Sequence, residues 1–342
     1  TFSTLATFSL KPPTYRNLIK HSDNNLYATT TQGGSYQYGS VVKFVAPSTL
    51  TTVRSFDSIS GTTNPNTLIV GADNNLYGTN PTGIASTNGS VFKLTTAGGL
   101  TTLATFGGTS GTLGSAPSAH LTPGGDGNYY GVTSGGGSNS LGVVFKVTPT
   151  GIYTALGVFT GTTGALLGSS PQTRLVLAPD GNLYGTTSGG GDGGFGTIFR
   201  VNVGTGAVTS LIAFTGTTGA VLCSSPNTNL FLGSDGVLYG TTTSGGTGSF
   251  GTVYSFTTAG VLTTLVNFTG TSGASPGTTP SSNLVFGSDG ILYGTTTGGG
   301  ISNSGTVYSC TTGGVFTSLV AFTGATGTMP GSSPSSMLLP DR

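Results

Sequence analysis

Glutamate and tryptophan are missing altogether, and cysteine and methionine occur only twice each. Charged side chains make up 6% of the chain, and the formal net charge is +1. These shortages exclude several function classes. Ten Lys and Arg scattered singly form no stripe that could neutralise a run of phosphates, so no nucleic acid partner is expected. No apolar run reaches the length of a membrane-spanning helix, so no membrane span is expected. The chain opens at Thr1 without a signal-peptide pattern, as a mature or partial chain would. With two His and no Glu, a His and carboxylate metal centre is not expected, and the Asp-Gly turns lack the spacing of an EF-hand loop. No cofactor is expected. Cys223 and Cys310 fall at different points of the pattern described below and read as small buried apolar residues, so they do not report on the redox compartment.

What is present is glycine, at 62 positions, with Ser, Thr and Asn in most of the polar places and 18 Phe and 13 Tyr along the whole length. Hydrophobic content of 35% is enough for a continuous core. Aligning Tyr27, Tyr77, Tyr130, Tyr184, Tyr239 and Tyr293 gives intervals of 50, 53, 54, 55 and 54 residues, the signature of a tandem repeat. Each unit opens with an apolar stretch such as Asn283-Leu284-Val285-Phe286, then an Asp-Gly or Asp-Asn turn, then a run such as Leu292-Tyr293-Gly294-Thr295-Thr296. Two short β-favouring runs around a turn that tolerates positive φ predict a hairpin, strands A and B. A Gly-rich loop leads to strand C, as in Gly305 to Cys310. A second turn leads to strand D, which alternates apolar residues with Thr and ends in Phe, as in Leu262 to Phe268. The segment from that Phe to the next strand A is long enough to cross from one sheet to the next, which is the wiring of a β-propeller. The period of two excludes a helical solenoid, and a β-helix would need much shorter coils.

The fold expected is therefore all-β, a single β-propeller domain over residues 1–342. Its repeats run over about 18–67, 68–119, 120–173, 174–228, 229–282 and 283–336. The turn Asp occurs seven times, at Asp23, Asp73, Asp126, Asp180, Asp235, Asp289 and Asp341. The Phe that ends strand D also occurs seven times, at Phe8, Phe56, Phe106, Phe159, Phe214, Phe268 and Phe322. Strands B and C occur only six times. Residues 1–8 match a lone strand D and 337–342 a lone strand A, two fragments of a further blade. A seven-bladed ring is the preferred arrangement, with six blades as the alternative. Unpaired end strands, carried by Thr1, Phe2, Leu5, Phe8, Met337, Leu338 and Leu339, invite pairing with another subunit's sheet edge.

The unit from Ser234 to Gly270, Ser-Asp-Gly-x-Leu-Tyr-Gly-Thr-Thr, then Gly-Thr-Val-Tyr, then Leu-x-x-Phe-x-Gly, resembles the Gloeobacter and Verrucomicrobia tandem repeat. The match covers nearly the whole chain. It implies an exported bacterial protein with a cell-surface or extracellular role, and it brings no catalytic residues with it.

Seven of nine Asp occupy one turn of successive repeats, where a carboxylate accepts backbone N–H bonds, and this marks them as structural. Only Asp57 and Asp192 lie off the template, both in loops; an enzyme built on either is the least favoured reading. His21 and His120 lie on the strand A side. Lys43, Lys93, Lys146 and Arg200 recur at one strand C position, with Ser255 and Ser309 in the later units, and read either as solvent-facing residues or as a ring of charge. The triple-glycine loops precede strands, so no helix N-terminus completes a phosphate cradle. The recurring Tyr of strand B reads first as core and second as a sugar-stacking platform. Sequons at Asn88 and Asn267 are candidate N-glycosylation sites.

The function expected is a non-enzymatic extracellular or cell-surface module, structural or adhesive, self-assembling through its incomplete blade or binding another surface protein. The alternative is a lectin-like propeller that binds a polysaccharide through loop aromatics such as Tyr36 or Phe195.

Overall fold

The computed structural model describes residues 15–47, 49–57, 64–82, 88–107, 113–118, 120–219 and 221–335. The end-strand residues Thr1, Phe2, Leu5, Phe8, Met337, Leu338 and Leu339, together with Asp341, lie outside the described residues. The chain divides into two compact units, Thr1–Val158 and Phe159–Arg342. Each holds three antiparallel sheets, and the described residues contain no helix. In the first unit the sheets run from Tyr15–Lys20 to Thr49–Ser55, from Leu68–Val70 to Leu100–Thr105, and from Gly114–Pro117 to Tyr153–Val158. In the second they run from Val176–Leu177 to Val208–Ala213, from Ser224–Pro226 to Leu262–Asn267, and from Thr278–Pro280 to Phe316–Ala321. Strands pair in the order A, B, C, D throughout, which puts the A–B and C–D turns at one end of each sheet and the B–C loop at the other.

The A–B turn is a type I turn closed by one left-handed residue. In the fourth sheet Gly181 N–H bonds the Ala178 carbonyl at 3.0 Å and Ala178 N–H bonds the Asn182 carbonyl at 2.9 Å. Gly181 has φ +76°, and Asn24 and Asn74 take the same conformation at +62° and +56°. The residue after the Asp is therefore Gly or Asn because L side chains rarely tolerate that backbone region.

One feature of strand A differs from the expectation. In the third, fifth and sixth sheets it is split, and its first piece comes from the connector: Ser224–Pro226 and Thr278–Pro280 pair with the far half of strand B, ahead of Phe231–Leu232 and Val285–Phe286. A proline is accepted there because the strand is an edge. The residue before it is left-handed in every repeat, at Asn64, Ala116, Ser170, Ser225, Thr279 and Ser333, with φ between +49° and +53°. Five of these are pinned by their own N–H, bonded to the carbonyl of the residue just before the strand C glycine, as in Ser225 to Phe195 at 2.8 Å and Thr279 to Phe250 at 3.0 Å. The proline ring then lies on that glycine. A Cβ on Gly196 would come within 2.8 Å of Pro226 Cδ, and one on Gly251 within 2.6 Å of Pro280 Cδ.

Neighbouring sheets within each unit are stitched by aromatic rings. The Phe that follows strand D packs edge to face on the aromatic of the next strand C: Phe56 on Phe92 at 5.4 Å, Phe106 on Phe145 at 5.2 Å, and Phe268 on Tyr308 at 5.2 Å. That strand C ring covers a strand B glycine directly opposite. A Cβ on Gly78 would lie 2.6 Å from Phe92, one on Gly131 2.5 Å from Phe145, and one on Gly185 2.6 Å from Phe199. The first repeat changes both partners together, pairing Ala28 with Val42. The Thr-Thr at the end of strand B supplies hydroxyl pairs that satisfy buried oxygens, such as Thr187 with Thr197 at 2.8 Å and Thr242 with Thr252 at 2.7 Å. Strand D carries a bulge in every sheet, between the pairs Val41/Val42 in the first and Val307/Tyr308 in the last, which blunts that edge against pairing with another chain.

Candidate functional site

The A–B turn end of each sheet gathers most of the charge. In all six described repeats the strand B Tyr hydroxyl donates to the turn carboxylate four residues earlier: Tyr27 to Asp23 at 2.8 Å, Tyr77 to Asp73 at 2.8 Å, Tyr130 to Asp126 at 2.9 Å, Tyr184 to Asp180 at 2.7 Å, Tyr239 to Asp235 at 2.6 Å and Tyr293 to Asp289 at 2.7 Å. The second carboxylate oxygen takes the N–H two residues on, from Asn25 at 3.0 Å through to Ile291 at 3.1 Å. The strand C cation sits directly across from the Tyr, as Tyr27 with Lys43 and Tyr77 with Lys93. Lys93 Nζ reaches Asp73 at 2.7 Å and Lys43 Nζ reaches Asp23 at 3.4 Å, each ammonium also lying 5.8 Å over the Tyr ring. These two lysines are half-buried and bound to their own repeat's turn, which is neither of the two roles the sequence left open.

Desolvation alone would raise the carboxyls of Asp23, Asp73, Asp126 and Asp180. For Asp73 the hydrogen bonds from Lys93, Asn75 and Tyr77 outweigh it and hold the group well below the usual carboxylate range. Asp23 is lowered in the same way by Asn25 and Tyr27, and Asp126 and Asp180 follow the same pattern. Asp289 is lowered by its bonds from Tyr293 and Ile291. Burial and the bond to Asp180 push the Tyr184 hydroxyl up to about 12. His21 is buried beside this chemistry, with Nε2 at 2.9 Å from the Asn74 carbonyl, so it joins one turn to the next.

The B–C loop end is built differently. Its glycine amides bond carbonyls of the loop itself, Gly196 to Gly190 at 2.9 Å and Gly251 to Gly245 at 3.1 Å. The residue just before the strand C glycine carries a large ring in three sheets: Tyr38, Phe195 and Phe250, each 38% exposed. Phe195 lies on Gly193 and Gly216, and Phe250 on Gly248 and Gly270, where an added Cβ would meet the ring at 2.6–3.1 Å. Asp192 is exposed in the same loop as Phe195.

In the first unit, strand D of the first sheet, the loop at Gly34–Tyr36 and the turn at Ala97–Gly98 line an open surface cleft of about 780 Å³. It brings together Tyr36, Arg54, Ser55 and Asp57, of which Tyr36 is 56% exposed. Ser55 Oγ accepts the Ser35 N–H at 3.1 Å and ties the loop to the strand. The Arg54 Nε is buried with no hydrogen-bond partner. Tyr36 and Asp57 stand out in the sequence; Arg54 and Ser55 do not, because they sit in strand D with no template departure to mark them.

Asn88 is half-buried, its carbonyl taken by the Ala116 N–H at 2.7 Å. Asn267 is in strand D, where its side-chain oxygen accepts the Thr247 N–H at 3.3 Å. Cys223 and Cys310 are both buried and unlinked, and burial raises both thiols, Cys310 to about 11. His120 is half-buried on the strand A side of the third sheet. Among the described residues no three His, Cys, Asp or Glu are grouped to hold a metal, and no helix is long and apolar enough to cross a membrane.

The family model of the Gloeobacter/Verrucomicrobia repeat matches residues 12–225 and 166–337. The chain belongs to this repeat family. No curated protein matches this chain. Among solved structures it is similar to a streptogramin B lyase, at 15% identity and TM-score 0.53, covering 91% of this chain and 84% of that one. It is also similar to a putative 6-phosphogluconolactonase from Bacteroides uniformis, at 18% identity and TM-score 0.52, covering 88% and 83%. A third is the extracellular domain of a putative hybrid two component system from B. thetaiotaomicron, at 10% identity and TM-score 0.57, covering 96% of this chain and 36% of that one. At these identities each likeness carries the fold alone, which is that of the β-propellers.

Proposed function

We propose that this repeat protein is a non-enzymatic extracellular or cell-surface module with a structural or adhesive role. One observation carries the reading: each of the six recurring carboxylates among the described residues is bonded to a Tyr hydroxyl and a turn N–H, so the groups best placed by number for acid–base chemistry are committed to the hairpins. The low charge, and a fold shared with an extracellular domain, support the location. The rings of Tyr38, Phe195 and Phe250, presented at one register position of the loop end, supply apolar contact area for adhesion. Self-association through the end strands is part of this proposal.

Two measurements test it. Antibody labelling of intact cells is expected to reach the protein without permeabilisation. Chromogenic lactone, ester and glycoside substrates are expected to give no turnover above that of an Asp57→Asn, Asp192→Asn double variant; turnover lost in that variant would overturn the non-enzymatic reading. A second reading, saccharide binding, is favoured by the polar cleft beside Tyr36.

A further inference from the structure

We infer that the strand D side of the sixth sheet and the strand A side of the first are the two halves of one interface, through which a second copy of this chain docks head to tail. The inference rests on the self-association within the proposed reading and deepens it by naming the surfaces. Four junctions inside the chain show these faces covered. In each, the Phe that follows strand D shares a buried cluster with a Leu of the next strand A: Phe56 with Leu68, Phe106 with Leu121, Phe214 with Leu230 and Phe268 with Leu284. That Leu stands five residues before the turn Asp in every described repeat, and in the first it is Leu18, which is 62% exposed. At the other end Leu319 of strand D is 49% exposed and Phe322 is only half-buried, whereas the corresponding Leu265 is half-buried and Phe268 buried. Both halves of the junction are therefore open to solvent in the single chain.

Backbone groups repeat the pattern. The Gly270 carbonyl accepts two N–H groups, from Gly277 of its own connector at 2.8 Å and from Gly300 of the next B–C loop at 3.1 Å. The corresponding Gly324 carbonyl accepts the Gly331 N–H at 2.8 Å and, among the described residues, no second donor. Gly34 is the counterpart of Gly300, and among the described residues its N–H has no acceptor. A Cβ on Gly299 would meet the Gly277 backbone at 2.5 Å, whereas one on its counterpart Gly33 would meet nothing within 4 Å. One face thus presents a Phe, a Leu and a carbonyl, and the other presents a Leu and the matching N–H. Val42 holds the strand C ring position in the first repeat, so Phe322 of one copy rests on Leu18 and Val42 of the next. Covering these side chains supplies the apolar driving force. The contact is between sheet faces, so the bulge that blunts the strand D edge does not oppose it. Its two sides differ, which makes it heterologous and able to add copies in series.

The test is size-exclusion chromatography with light scattering of the full chain, loaded at about 1 to 100 μM, the weak end of the range for interfaces of ordinary size. The mass is expected to rise with concentration. Leu18→Asp and Leu319→Asp are each expected to weaken association at least about tenfold, as loss of a central apolar contact does. Both leucines are at the surface, so both variants are expected to keep the melting temperature of the parent. One variant retains an intact strand D face and the other an intact strand A face. An equimolar mixture of the two is therefore expected to give a dimer of one copy each and nothing larger. A mixture that stays monomeric while the parent associates would overturn the head-to-tail pairing. Association that survives both Asp variants but is lost with prolines at Leu5 and Leu338 would overturn these faces and leave self-association through the end strands standing. A parent chain monomeric at every concentration would overturn both.

Discussion

Tyr184 Oη donates to Asp180 Oδ2 at 2.7 Å, while Oδ1 of the same carboxylate takes the Asn182 N–H at 3.1 Å. One acid thereby closes its turn and ties that turn to the buried ring of strand B. Because the ring is fully buried and the carboxylate is at the surface, the pair links the core to the hairpin tip. Tyr184→Phe is expected to cost about 0.5–1.5 kcal/mol, the net worth of one hydrogen bond. Asp180→Ala is expected to cost somewhat more, since it also removes the acceptor of the turn. Urea unfolding of both variants checks the order.

The same bonds set the response to pH. Asp23, Asp73, Asp126 and Asp180 have folded-state values below those of the unfolded chain, so their contribution is present above about pH 4 and is lost as pH falls further. The Tyr partners are raised, so their contribution is present below about pH 10 and is lost as pH rises beyond it. Thermal melts across pH are expected to show a plateau that falls at both ends. A stability maximum confined to the region near pH 6 would contradict the assignment.

Gly251 is held at φ +97°, with Pro280 Cδ within 2.6 Å of where a Cβ would stand and the Thr242 carbonyl closer still. Both neighbours are rigid. Gly251→Ala is expected to cost about 3 kcal/mol or more, through backbone strain and overpacking together. Gly290, which has a positive φ but open surroundings, supplies the comparison: Gly290→Asn is expected to cost about 1 kcal/mol or less. Midpoints of chemical unfolding separate the two.

The Gly and aromatic pair across strands B and C, replaced by Ala28 and Val42 in the first repeat, predicts a coupling. Val42→Phe alone meets the Ala28 methyl and is expected to destabilise by about 1–3 kcal/mol. Adding Ala28→Gly is expected to recover most of the loss. A double-mutant cycle with no interaction energy would contradict this account of the pair.

Tyr254 and Tyr308 occupy the strand C ring position where Phe92, Phe145 and Phe199 stand elsewhere, and their hydroxyls are buried without a partner. Burial of an unpartnered hydroxyl is unfavourable. Tyr254→Phe and Tyr308→Phe are therefore expected to be neutral or to stabilise by up to about 1 kcal/mol, read as a rise in Tm.

The repeat, its strand order and the recurrence of Asp and Tyr were legible in the sequence because one spacing returns along the whole chain. Their partnership was not. Tyr184 and Asp180 are four residues apart across a hairpin, and only the turn type decides whether hydroxyl and carboxylate meet. The split of strand A is hidden in the sequence for a similar reason. Pro226 and Pro280 read as connector, whereas an edge position and a left-handed neighbour let them pair with strand B. The cleft at Tyr36 was half visible: a loop aromatic and an off-template Asp57 can be picked out, but Arg54 joins them only through the curvature that the bulge gives to strand D.

The central claim is that the recurring carboxylates belong to the fold and not to a reaction. Residue-resolved NMR titration of the Asp side-chain carbonyl carbons tests it most directly. Asp23, Asp73, Asp126, Asp180 and Asp289 are expected to titrate below the ordinary value of about 3.9. Any of them titrating instead between about 5 and 7, where a general acid operates near neutral pH, would contradict it.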